Sequence, residues 1–449
     1  MVHEDRCPTA AERRPNQLRE PTEPDDAAED LLGRSLHGGK PILASSIRPS
    51  PRDRRLRTMR RRLLMIVHGP YPVGEPRVVR ETQAALDAGW EVDVIAARRR
   101  GEPAREVDAA GVRIRRLPVE HQRGHGALGV AREYLGFTLL AAASVARAFP
   151  RRRWHVVQVH NPPDFLVVAV LVPKLFGARV VFDVHDLAPD MFRMRFGGRA
   201  GGVVDRVLRL VERIATSLAD RVVTVHEPYQ RALAARGVPA DKITVVMNSI
   251  DERLLPTTAH PRVGDGFRVV YHGSITPAYG LPTLVDAVGL LEGRIPGLRL
   301  EIYGEGDELQ ALRDRAEALG VADFVWFSGE YLPHAEVLAS VAGAHAGVVP
   351  NVPSDLNRYA LSSKLFEYVA LGIPVVCSDL PTLRDHFSSD EILFYAAADA
   401  EALADALSAI AAAPAEAAKR AASARRRYEE YRWPLNAARY TAMLEGLAS

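Results

Sequence analysis

The stretch Asn357-Arg-Tyr-Ala-Leu-Ser-Ser-Lys-Leu-Phe-Glu-Tyr-Val-Ala-Leu-Gly-Ile-Pro-Val-Val376 holds a helix and the start of the strand that follows it. Ser362 or Ser363 can cap the helix, and the spacing of apolar residues predicts it over 363–371. The strand Pro374–Asp379 is apolar on both faces, as a strand buried inside a sheet must be. The same unit recurs on either side. Strands are expected at Phe267–Gly273, Leu298–Gly304, Phe324–Gly329 and His345–Pro350, with helices over 281–291, 307–319 and 334–342. Apolar strands with helices between them indicate a parallel sheet covered on both faces and joined by right-handed crossovers.

An earlier series has the same pattern. Leu63–His68 reads as a buried strand, followed by a Gly/Pro loop and a helix from Arg77 to Ala88. Strands follow at Glu91–Ala97, Val112–Pro118, Trp154–His160, Arg179–His185, Arg221–His226 and Ile243–Asn248. The least structured stretch, Asp251–Asp265, carries Pro256, Pro261 and Gly264 and divides the two series. The expected organisation is a polar tail over 1–60, an N-terminal α/β domain over 61–255 and a second over 256–425. A C-terminal helix over 426–449 is expected to pack back on the first domain. Two doubly wound, Rossmann-like domains would then face a cleft at the carboxyl ends of their strands.

Composition narrows the function. The 449 residues are 47% hydrophobic and 25% charged with a net charge of +2, so the whole molecule is no polyanion binder. Cys7 and Cys377 make no disulfide framework and fit no metal spacing, and a cytoplasmic setting is expected. The longest apolar run, Leu135–Phe149, is interrupted by Gly136 and Arg147 and falls short of a membrane span. It reads as a core or interfacial helix. The run from Arg52 to Arg62 is basic and reads as a solvated tail, or untranslated sequence if Met59 is the start, with an anionic-membrane or nucleic-acid contact as the functional alternative. No P-loop, no opening G-x-G-x-x-G and no Cys/His zinc set is present. Nor do aromatic and basic residues interleave as nucleic-acid stacking would need.

Candidate chemistry lies at strand ends. Gly273-Ser274, Tyr279-Gly280 and Gly304-Glu305-Gly306 can bring backbone close to an anion. Lys364 falls in the first helical turn, where a cation is unfavourable unless an external anion is near. Glu367 follows on the same face. Lys364 and the helix N–H groups can hold a diphosphate, and Glu367 can accept from the vicinal hydroxyls of a ribose. An exposed Lys–Glu pair is the plain alternative. In the first half, His160-Asn-Pro-Pro-Asp164 and Asp183-Val-His185-Asp186 end strands. His185 can meet a sugar at the cleft or be held structurally by Asp183 or Asp186. The loop His68–Arg77, with Gly69, Gly74 and Arg77, can approach either substrate.

From about Arg62 to Leu447 the chain resembles the retaining family-4 glycosyltransferases of the GT-B fold. The resemblance rests on Val181-Phe-Asp-Val-His-Asp-Leu187, Ala219-Asp-Arg-Val-Val-Thr-Val225, Ile243–Asp251, Tyr271-His-Gly-Ser274, Gly280-Leu-Pro-Thr-Leu284, Tyr303-Gly-Glu-Gly306 and Ser363–Val376, in that order. It implies a nucleotide-diphosphate sugar as donor, no metal or other cofactor, and transfer with retention to an acceptor hydroxyl. By that resemblance Glu367 binds the donor ribose, Leu361, Ser362 and Ser363 meet the diphosphate, and His185 contacts the donor sugar. Gly273 and Gly304 form donor-cleft turns. The chain departs from the family at three positions. Tyr359 stands where the first Glu of the Glu-x7-Glu motif belongs, and Ser274 and Tyr279 stand where many members carry Arg and Lys. A branch with a Ser-Lys-x-x-Glu-Tyr pattern is matched instead, and Lys364 with Arg358 would restore the positive charge. The acceptor can be a glycan, a polyprenyl-linked molecule or a small molecule, with peripheral contact at the inner face of the membrane. A nucleotide-sugar 2-epimerase and a non-catalytic binding protein of the same fold are the alternatives.

Overall fold

The computed structural model describes residues 61–119, 126–196, 202–256, 266–330, 332–354, 357, 359 and 361–449. The tail over 1–60 with most of its basic run, the stretch 257–265 at the expected domain boundary, and Arg358 lie outside the described residues.

The first sheet has eight strands: β1 Arg62–Pro70, β2 Glu91–Ala97, β3 Arg105–Val107, β4 Arg113–Leu117, β5 Val156–His160, β6 Arg179–Val184, β7 Arg221–Thr224 and β8 Ile243–Val245. Their order is β3-β4-β2-β1-β5-β6-β7-β8. The second sheet has six: β9 Arg268–His272, β10 Arg299–Tyr303, β11 Val325–Phe327, β12 Ala346–Val349, β13 Val375–Ser378 and β14 Leu393–Tyr395, in the order β11-β10-β9-β12-β13-β14. Every pairing is parallel except β3 with β4. The molecule is thus two parallel-sheet α/β domains.

The sequence pattern did not announce β3 and β14. Each is three residues long, too short to show a period, and β3 pairs antiparallel at the sheet edge with all three residues exposed. The central strands were visible because both faces are buried. Leu63 and Met65 pack into one cluster, while Leu64 and Ile66 pack into another on the opposite face. Each such side chain contributes roughly 1.5–3 kcal/mol when fully buried.

Five helices position the features discussed below: α1 Pro76–Asp87, α2 Ala127–Ala148, α3 Val203–Leu218, α4 Ser363–Ala370 and α5 Trp433–Ala448. Pro76 opens α1, where its missing N–H costs nothing. α2 corrects the expectation that no apolar segment is long enough to span a membrane. By length and composition alone it passes that test, with a third of its apolar window buried. Gly136 does not break it, because Phe137, Ala141 and Val145 pin the helix to the core on one face.

The C-terminus crosses back to the first domain. Tyr440 and Leu444 of α5 join the cluster of Leu63, Met65 and Val78, and the Tyr440 hydroxyl donates to Gln158 Oε1 at 2.7 Å. Asn436, fully buried, donates to Ser249 Oγ at 3.0 Å and accepts from the Met247 amide at 2.9 Å. Arg432 bridges to Glu252 at 2.7 and 2.8 Å.

Candidate active site

Parallel register sets His160 at the end of β5 directly beside Asp183 of β6. His160 Nδ1, His185 Nε2 and Asp183 Oδ2 lie 3.1 Å from one another. Arg77, one residue into α1, grips the same carboxylate with two hydrogen bonds, Nε to Oδ2 at 3.0 Å and Nη2 to Oδ1 at 2.9 Å. Its remaining donors reach the Val246 carbonyl at 2.6 Å and Asn248 Oδ1 at 3.1 Å, and Glu81 lies 3.1 Å away. Burial opposes charge on Asp183, but Arg77 and then His185 outweigh it and hold the carboxyl well below its usual range. Burial, with smaller pushes from His185 and Arg77, brings His160 down to about 4 despite the Asp183 carboxylate. For His185 the Asp183 carboxylate overcomes burial and raises the imidazole. The Nδ1 of His185 has no partner among the described residues, and the ring lines the cleft between the domains.

These three ligand-type atoms form the one group among the described residues spaced to hold a metal ion. The guanidinium of Arg77 already supplies positive charge there, 3.0 Å from the shared oxygen. Arg77 lines the cleft as well, but each of its nitrogens is engaged inside the domain. Gly69 serves the same wall, since a Cβ there would lie 1.7 Å from Glu75 Oε1. Glu75 folds over that glycine and lines the cleft, with its carboxyl raised by burial. Gly74 sits at φ +108°, a turn that favours glycine, on the exposed side of the loop.

The opposite wall belongs to the second domain. Glu367 is buried on α4 and held by two histidines: His272 Nε2, at the end of β9, lies 3.0 Å away, and His334 Nε2 lies 3.1 Å away. Burial works against its charge, yet His272 and His334 keep the carboxyl far below the usual range. Lys364 is also buried and does not pair with Glu367 on a surface. Its Nζ sits 4.3 Å from the ring centre of Tyr279 and 5.2 Å from that of Tyr271. No ion pair to Lys364 occurs among the described residues, and burial pushes its ammonium down to about 8. Gly273, at φ +116°, leaves room for it: a Cβ there would lie 2.6 Å from Lys364 Cε.

Other expected donor residues divide. Leu361 and Ser363 line a cavity of about 150 Å³ beside His185, and Ser363 also lines the main cleft of about 360 Å³. Ser362 precedes α4 without capping it, and its buried Oγ has no hydrogen-bond partner among the described residues. Ser274, Gly304 and Glu305 do not line the cleft. Gly304 is glycine because a Cβ would lie 2.0 Å from the Gly273 carbonyl oxygen, so two loops pack backbone to backbone. The Glu305 carbonyl accepts from the Ile275 amide at 2.9 Å while its side chain faces solvent. Ser274 is exposed, and its carbonyl accepts from the Tyr271 hydroxyl at 2.8 Å. Tyr359 turns toward the first domain, its ring centre 6.3 Å from that of Tyr229.

Sequence reasoning missed Arg80, one helical turn beyond Arg77. It lines the same cleft as Lys364 and Glu367, is 9% exposed, and lies over the Trp433 ring with 5.6 Å from Cζ to the ring centre. Among the described residues it makes no hydrogen bond or ion pair, and its Nε is buried without an acceptor. Burial, and then Arg77 nearby, bring it down to about 10. The helical spacing from Arg77 was its only sequence signal. His334, Asn248 and Ser249 were missed too, and the role of His272 was not seen.

Residues 73–249 match the family described as a glycosyl transferase 4-like domain, and residues 266–413 match glycosyl transferases group 1. The 2-deoxystreptamine N-acetyl-D-glucosaminyltransferase of Streptomyces fradiae is 26% identical over 335 residues, covering 70% of this chain and 76% of that protein. A GDP-mannose-dependent alpha-(1-6)-phosphatidylinositol monomannoside mannosyltransferase of Mycobacterium tuberculosis is 30% identical over 171 residues, 35% of this chain and 44% of that one. Among solved structures, sucrose-phosphate synthase of Thermosynechococcus elongatus superposes with a TM-score of 0.70 at 20% identity, covering 86% of this chain and 99% of that one. Anabaena HepE in complex with UDP-glucose superposes with a TM-score of 0.64 at 14% identity, covering 86% and 99%. The last two show a shared fold.

Proposed function

We propose that this glycosyltransferase, a glycosyl transferase 4-like domain followed by a group 1 glycosyl transferase domain, takes its sugar from a nucleoside diphosphate and transfers it with retention, without a metal ion. The observation that carries the reading is that a deprotonated, buried Glu367 and two buried cations, Lys364 and Arg80, line one cleft that also holds His185. Glu367 accepts hydrogen bonds from the ribose hydroxyls. Lys364, Arg80 and the N–H groups at the start of α4 face the diphosphate, where charge develops as the sugar leaves. His185 presents its free Nδ1 to the sugar. The bond from the anomeric carbon to phosphate breaks and the bond to the acceptor oxygen forms on the same face. The acceptor's proton passes to the departing phosphate. Two fixed cations in a desolvated cleft do the work otherwise assigned to a divalent ion, which supports metal independence. The acceptor is a hydroxyl of a glycan, a polyprenyl-linked molecule or a small molecule, met on the first-domain side at the inner face of the membrane.

Calorimetric titration with UDP, GDP, ADP and dTDP tests the donor site. One of them should bind without added metal and with EDTA present, and Glu367→Ala should weaken it by about 100-fold or more, the loss of charged hydrogen bonds. Binding that needs a metal, or that survives Glu367→Ala, defeats the reading. The anomeric coupling of the product in proton NMR decides retention.

A further inference from the structure

α3 is amphipathic in the inverted sense. Its acidic residues face inward, where Asp205 pairs with Arg193 and with Arg209 Nε at 2.9 Å, and Glu212 pairs with Arg236 at 2.7 Å. Val203, Val207, Leu210 and Ile214, spaced four, three and four residues apart, form a stripe that faces solvent, with Val203 71% exposed. The charges left outside on this helix are all positive: Arg206, Arg209 and Arg213. Other helices of this layer expose apolar residues too. α2 and α3 both pack against the 3-10 helix Asp164–Val170, and α2 exposes Leu128, Leu135 and Leu139. The short helix Leu171–Leu175 between them ends in Leu175, 82% exposed, and Phe176. Scattered apolar residues on a surface need no explanation, but a helix whose whole apolar stripe faces out, in a layer whose other helices also expose leucines, does.

From this geometry we infer that the face is a docking surface for an anionic lipid bilayer. An in-plane helix needs apolar side chains to enter the acyl boundary, arginines to meet the headgroups, and no outward acid, and α3 satisfies all three. The face is also connected to the cleft. α2 and α3 each cross over into a parallel strand, so both begin at the carboxyl edge of the sheet, where His185 stands. Asn161 ties the two together. Its Nδ2 donates to Asp164, which opens the 3-10 helix, at 2.8 Å, and its Oδ1 accepts from the His185 amide at 2.7 Å. A bilayer on this face presents a lipid-linked hydroxyl to the cleft. Only that last step rests on the glycosyl-transfer reading.

The test uses the full chain and vesicle sedimentation, with no nucleotide sugar present. Vesicles of phosphatidylcholine with about a third phosphatidylglycerol should bind the chain about tenfold or more better than phosphatidylcholine alone, and salt should weaken that binding. The combined change Val207→Asp, Leu210→Asp and Ile214→Asp should lower binding about tenfold or more with an unchanged melting temperature. Arg206→Gln with Arg213→Gln should lower it several-fold and flatten the salt dependence. If the wild-type chain stays in solution with both vesicles, or binds equally after the Asp changes, the inference falls. It falls too if light scattering shows a dimer that the Asp changes dissolve, since the face then belongs to a second copy. Nucleotide titration is separate, so loss of vesicle binding with donor binding intact condemns only the docking surface.

Discussion

The buried charges of the cleft fall into two sets that are used differently. On the first-domain side, Arg77, Asp183, Glu81, His160 and His185 form one cluster, and each nitrogen of Arg77 has an acceptor. Elsewhere in the cleft, Lys364 of the second domain rests on tyrosine rings and Arg80 of α1 on a tryptophan, and among the described residues neither has an ion-pair partner. A satisfied charge network fixes a geometry, whereas a buried cation without a partner carries a desolvation cost that only a ligand offsets. The comparison divides scaffold from binding surface: the paired network holds His185 in place, and the two unpaired cations await an anion.

Removing one member of the first network should have the largest effect on stability. Arg77→Met leaves Asp183 buried and uncompensated, and urea unfolding should show a loss of about 3–5 kcal/mol. A loss below about 1 kcal/mol would mean the network is no scaffold.

For the two unpaired cations the sign should reverse. Lys364→Met and Arg80→Met should leave stability unchanged or raise it, while each weakens nucleoside diphosphate binding about 10- to 100-fold in calorimetry. Binding of the bare nucleoside should barely change. Lys364 also sets a pH dependence. Its ammonium, at about 8 when free, is charged below that value, so diphosphate affinity should be full at pH 7 and decline as pH rises past 8. Folding stability should move the other way over that range. The unfolded chain keeps its lysine proton to about pH 10.4, so stability rises with pH above 8. Both dependences should vanish in Lys364→Met.

The smallest effect belongs to Gly273→Ala. The new methyl would meet Lys364 Cε at 2.6 Å and strain a φ of +116°. Nucleotide affinity should fall several-fold, with about 1–2 kcal/mol of stability lost. An unaltered affinity would show that Lys364 can leave its tyrosines without consequence.

What the sequence could determine by itself is whatever a local period encodes. Long strands buried on both faces, such as Glu91–Ala97, show as unbroken apolar runs, and the helix bearing Lys364 and Glu367 shows in their spacing. β3 and β14 are too short to carry a period. The inward acids of α3 show no direction in sequence, since a helix with one apolar stripe reads as covering a core with that stripe. Only the tertiary structure decided that this stripe faces out, because Arg193 and Arg236 lie beneath the acids. It also decided that Glu367 meets His272 and His334, and that Arg80 is buried without an anion. Those facts depend on which side chains distant in the chain come within a few ångströms, and burial and pairing are properties of neighbours that no local pattern records.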